Sequence, residues 1–154
     1  MKRAPDHILQ EAIKTGEEIL QSSWLVDFKR DFFDILCWKV SERFGKYNTQ
    51  FRSRLGMQSQ RPDLIHEHII PRATLWELAQ KGVPAADLFK HCQACIITRD
   101  EHKRLHNISE RPWSWCRYIE AGIDIFDTQE NRIVSVDELH AMADLSRSEL
   151  FGWL

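Results

Sequence analysis

Glu67 and His68 stand side by side between apolar residues, and His102 and His106 lie four apart further along the chain. A carboxylate can hold a divalent ion while an imidazole takes a proton from water. Histidines four apart share one helix face and can both reach an ion. In the run Asp63–Arg72, apolar residues flank a polar centre and Pro71 ends it, which predicts a short strand. Neighbours on a strand point to opposite sides, so Glu67 and His68 meet at one ion only if the strand end bends or bulges. The plainer alternative is a surface strand with a solvated Glu67 and His68, His66 at the periphery and an exposed His106.

The elements that must position these residues are readable nearby. The apolar run within Cys92–Thr98 suits a second strand. Thr98 with Glu101 forms the pattern of a capping box, so a helix starts there and carries His102, Arg104 and His106. Glu101 needs no metal to explain it in that role. Between the strands, Thr74–Lys81 reads as a helix with a Thr74/Glu77 capping box and Gly82 at its end, and Ala85–His91 as another behind Pro84.

At the N-terminal side, His7–Gln21 is amphipathic. A more apolar helix is predicted over Trp24–Phe44, with Ser23 as N-cap and a stripe of Leu25, Phe28, Phe32, Ile35 and Leu36. The two predict a helical hairpin carrying much of the core, closed by Gly45. Lys46–Pro62 lacks periodicity and reads as a loop. From Arg43 to Pro62 there are five basic residues (Arg43, Lys46, Arg52, Arg54, Arg61) and no acidic one, with Tyr47 and Phe51 among them. This is either a solvated loop or an arm that contacts phosphates and stacks on bases.

C-terminal to the histidines, Trp113–Ala121 is read as a helix with Pro112 in its first turn and Gly122 at its end. Its aromatic, basic Trp113–Tyr118 segment is core or a stacking surface. A hairpin of Ile123–Phe126 with Arg132–Val134 and a Ser135/Glu138-capped helix to about Ser146 follow. The fold class is therefore α+β, mainly helical, in one domain over 1–154: a helical hairpin (1–45), a basic loop (46–62), a strand–strand–helix core (63–108), and C-terminal helices with a hairpin (109–154).

Composition fits a globular chain, at 43% hydrophobic and 29% charged residues. With 21 basic against 23 acidic residues there is no global attraction to nucleic acid, so a nucleic-acid binder needs a local basic patch. No stretch approaches a membrane span. The Met1–His7 segment leads into amphipathic sequence without an apolar signal core, and the four cysteines are read as reduced thiols of a cytoplasmic protein. Cys92 and Cys95 are half a zinc site or, given their apolar surroundings, buried free thiols.

The segment His66-Glu67-His68-Ile69-Ile70-Pro71-Arg72 resembles the first strand of HNH (ββα-metal) endonucleases, which usually reads Asp-His-Ile-(Ile/Val)-Pro. Gln93-Ala94-Cys95-Ile96-Ile97-Thr98-Arg99-Asp100-Glu101-His102-Lys103-Arg104 resembles their later Asn-Leu-x-x-Leu-Cys-x-x-Cys-His-x-x-Lys stretch. The resemblance covers about a quarter of the chain. It implies Glu67 and His102 as metal ligands, His68 as general base and Gln93 as the residue orienting it; His106 is a further candidate ligand from its spacing with His102 alone. It implies one divalent ion (Mg, Mn, Ni or Zn) and cleavage of nucleic-acid phosphodiesters, DNA more than RNA. Arg52, Arg54, Arg61, Arg99, Lys103 and Arg104 would then hold phosphates. Glu replaces the usual Asp and Gln the usual Asn, while Thr98 and Glu101 stand where structural zinc cysteines are usual. A phage or bacterial setting follows by analogy only. The rival expectation is a non-catalytic module that docks to a partner protein, favoured by the near-neutral charge and six tryptophans.

Overall fold

The computed structural model describes residues 5–108 and 113–152. Among these residues are eight α-helices and one five-stranded mixed sheet, an α+β, mainly helical fold. Two helices, α1 (Pro5–Gln21) and α2 (Val26–Ser41), lead into β1 (Phe51–Ser53) and α3 (Arg54–Gln58). Then come β2 (Leu64–His68), α4 (Arg72–Gln80), α5 (Ala85–Lys90), β3 (Ala94–Thr98) and α6 (Arg99–His106). The chain closes with α7 (Trp115–Glu120), β4 (Ile125–Asp127), β5 (Arg132–Ile133) and α8 (Val136–Phe151). Pro112, assigned from sequence to the first turn of the helix after it, lies outside the described residues. No helix among the described residues is long and apolar enough to cross a membrane.

The strand order is β2-β3-β1-β4-β5. β1 runs parallel to β3 and antiparallel to β4, so a three-residue strand forms the middle of the sheet. From sequence alone this segment reads as loop, because three residues are too few for alternation to show. The β4–β5 hairpin forms as expected.

The helical hairpin also forms, but α2 buries a different face from the one expected. Phe33, Cys37 and Val40 are fully buried, whereas Leu25, Phe28, Phe32 and Ile35 are exposed. α2 carries apolar residues on two faces, Phe28, Phe32 and Ile35 on one and Phe33, Cys37 and Val40 on the other, so periodicity alone does not choose its inner face. The choice is made by partners, since the Phe33 ring lies 5.3 Å from Phe89 of α5 and 5.6 Å from Trp76 of α4. On α1, Gly16 permits close approach: a Cβ there would sit 2.7 Å from the Phe89 ring.

Helix starts divide the same way. The Thr98/Glu101 and Ser135/Glu138 capping boxes are both present. The expected Thr74/Glu77 box is not, because α4 begins at Arg72 behind Pro71, which places Thr74 inside the helix. Nor does Ser23 cap α2, whose N-cap is Leu25. The last helix runs past Ser146 to Phe151, since fully buried Leu150 docks into the N-terminal core cluster.

Candidate metal centre

β2 and β3 pair antiparallel through five consecutive residues, Leu64↔Thr98 to His68↔Ala94, with no bulge. Alternation is therefore kept: Ile65 and Glu67 face one side, and Leu64, His66 and His68 the other. α6 follows β3 directly and packs on the Glu67 side. Its Leu105 enters the core with Cys95 and Ile97, and its His102 and His106 reach towards Glu67.

Glu67, His102 and His106 each offer a ligand atom within 4.8 Å of the others. Oε2 of Glu67 lies 3.0 Å from Nδ1 of His102. That approach lacks hydrogen-bond angles, and this buried nitrogen has no hydrogen-bond partner among the described residues. The His102 and His106 rings stand edge-on, 4.2 Å between centroids. One carboxylate and two imidazoles are a donor set suited to zinc and related ions. Ligand bonds of about 2.05 Å in a tetrahedral site put donor atoms about 3.3 Å apart. The Glu67–His102 pair is already close to that spacing, and His106 offers an atom within 4.8 Å of both. The residues thus fit a divalent ion.

Arg117 of α7 also approaches the centre, a residue that no spacing in the sequence ties to Glu67. Its guanidinium lies 3.7 Å from Oε1 of Glu67, on the side away from His102, and is largely buried. The only signal was the basic, aromatic character of Trp113–Tyr118. Glu101 is fully occupied elsewhere. Its Oε2 accepts from Ser53 Oγ (2.5 Å), Thr98 N (2.8 Å) and Thr98 Oγ1 (3.1 Å), which makes it the structural cap of α6.

His68, expected as the general base, is not brought to this centre. The unbroken strand turns it to the other face, where it is buried beneath Trp38 of α2 with ring centroids 4.8 Å apart. Burial, with His66 and Arg72 nearby, pushes its pKa down to about 3, so it is a neutral imidazole. His66 stacks on the same Trp38 at 5.2 Å and is likewise lowered by burial. Gln93, expected to orient His68, is an exposed residue before β3. Its backbone carbonyl accepts from Ile69 N, and Nε2 of His68 has no hydrogen-bond partner among the described residues.

The expected phosphate-binding residues separate too. Arg99 and Lys103 are exposed on the α6 arc that carries His102 and His106, since positions 99, 102, 103 and 106 lie within about one third of a helical turn's circumference. Arg99 donates to the Pro62 carbonyl, and Lys103 lies 3.4 Å from Asp100. Arg104 points elsewhere and donates to the Ala121 carbonyl. Arg52 pairs in the sheet with Ile96, which faces the His66 side, so it lies across the sheet from the centre. Arg54 is exposed, 3.9 Å from Asp124, and Arg61 stacks over Tyr47. Cys92 and Cys95 are buried free thiols in two different core clusters, so they do not converge as a CxxC site.

The chain matches no protein-family model, no curated protein and no solved structure in these comparisons.

Proposed function

We propose that this protein is a metal-dependent hydrolase of nucleic-acid phosphodiesters, built on a strand–strand–helix motif of HNH type. The observation that carries the reading is the convergence of Glu67, His102 and His106 from β2 and α6. When bound there, a divalent ion supplies a Lewis acid for a phosphoryl oxygen and for water. Two imidazole donors favour zinc or nickel over magnesium, which prefers all-oxygen shells. Arg117 steadies the Glu67 carboxylate, and Arg99 with Lys103 forms a basic rim for the phosphates of a nucleic acid, DNA before RNA. His68 takes no part as a base, because it lies on the opposite face of the sheet. A cytoplasmic location suits the free thiols.

The test is calorimetric titration with Zn²⁺, Ni²⁺, Mn²⁺ and Mg²⁺, run beside cleavage of supercoiled plasmid and single strands. Ion uptake and cleavage are expected, both lost in Glu67→Gln and His102→Ala. Cleavage that needs no added ion, or a folded protein that takes up none, overturns the reading. The second result favours a docking protein without catalysis, a reading supported by the apolar face that α2 leaves exposed.

A further inference from the structure

We infer that Ser114, His91 and Glu149 form a second reactive centre, a nucleophile–base–carboxylate trio that cleaves esters of short acyl groups. The inference is independent of the metal centre. Ser114 holds φ 50° and ψ −121°, the first central position of a type II′ turn, which usually takes glycine. Cys116 N closes that turn on the Trp113 carbonyl at 2.9 Å. The serine stands directly before α7, yet its side chain does not cap the helix. Capping therefore does not explain a buried serine held on a strained backbone. Strain of this kind gathers where function fixes a side chain.

Its neighbours supply the chemistry. Ser114, His91 and Glu149 line one cavity of about 240 Å³. Nε2 of His91 lies 2.6 Å from Oε2 of Glu149. Lys90 lies 3.0 Å from the same carboxylate, and the hydrogen bonds from Lys90 and His91 hold the Glu149 pKa below its ordinary value. Glu149 is thus an ionised acceptor for the Nε2 proton, which leaves Nδ1 of His91 as the basic nitrogen. Trp113 Nε1 donates to Ser146 Oγ at 2.8 Å, so the residue before Ser114 is pinned about one turn along α8 from Glu149. Such trios recur on unrelated folds and are recognised by their roles. Ser114 Oγ attacks the acyl carbon and gives its proton to Nδ1 of His91. The ester C–O bond breaks, and the proton passes to the departing alkoxide oxygen. Water repeats the sequence, releasing the acid and restoring Ser114. Ile69, Ile70 and Met142 wall the cavity. It is smaller than the roughly 300–1,000 Å³ of drug-sized sites, so the acyl group it takes is short and apolar.

The test is labelling of the full chain with a fluorophosphonate probe, located by peptide mass spectrometry, with chelator present so that no bound ion contributes. Wild type is expected to label at Ser114. Ser114→Gly should not label although it folds by circular dichroism, because glycine adopts this φ freely. His91→Gln should label at least tenfold more slowly. Glu149→Gln should also slow labelling and move its pH midpoint lower, since the imidazole loses the carboxylate that favours its charged form. With p-nitrophenyl acetate, wild type should release a burst of nitrophenol that Ser114→Gly lacks. A folded wild type that does not label, a label on another residue, or a rate indifferent to His91→Gln overturns the inference.

Discussion

Acid should weaken this protein through His68 in a way that reports which side of the sheet the residue occupies. Its imidazole has an ordinary pKa of 6.5 and one of about 3 when folded, because burial penalises the charged form. Below pH 6.5 the unfolded chain binds a proton that the folded chain refuses, so stability falls as pH falls through that window. The slope approaches 1.4 kcal/mol per pH unit, so going from pH 7.5 to 5.0 removes about 2 kcal/mol through this residue. With a urea m-value of about 2 kcal/mol/M, that is a midpoint lower by about 1 M. The assay is urea unfolding at both pH values, with chelator present, for the wild type and His68→Leu. Leucine suits the apolar surroundings and does not titrate, so the other groups cancel in the comparison. The wild-type midpoint should drop about 1 M further than the variant's. Equal drops would refute the buried, neutral assignment. A smaller drop in the wild type would mean that His68 gains a proton on folding, as it would beside the Glu67 carboxylate.

Other perturbations probe the frame around the centre. Gln93→Ala and His68→Leu should leave ion uptake unchanged by calorimetry, since neither side chain reaches Glu67, His102 or His106. Glu101→Ala strips its partners from Ser53 Oγ and Thr98 N, and should cost about 2–4 kcal/mol. In a chain of this size that appears as a Tm lower by roughly 5–15 °C in thermal melts. Gly16→Ala gains up to about 1 kcal/mol of helix propensity. It also drives a Cβ into the buried Phe89 ring, an overpacking penalty of about 1–3 kcal/mol. Its Tm should therefore fall by a few degrees, and a rise would show that α1 and α5 separate easily.

What the sequence disclosed about this fold was mostly local. The capping boxes at Thr98 and Ser135 rest on residues three apart, and both formed. The β2–β3–α6 order was visible in short apolar runs and turn residues, and with it the meeting of Glu67 and His102. What stayed hidden depends on distant partners. β1 exists because β3 and β4 flank it, more than forty positions later in the chain. The inner face of α2 is set by Phe89 and Trp76, and Arg117 approaches Glu67 from a helix outside the motif. The side taken by His68 turned on whether β2 bulges, a question of register that residue types alone do not answer.

The Ser53 hydroxyl accepts from Gly56 N while donating to Glu101, so one oxygen joins the starts of α3 and α6 to the middle of the sheet. α6 is thus clamped at its first turn, where His102 follows Glu101 directly, while His106 rides on the last turn near the end of the helix. The amide protons of Thr98 and Glu101, both held in the capping box, should exchange slowly and those beyond Lys103 faster, because fraying begins at the unclamped end. An arriving ion would then find Glu67 and His102 in place, with the time it stays governed by how often His106 swings away.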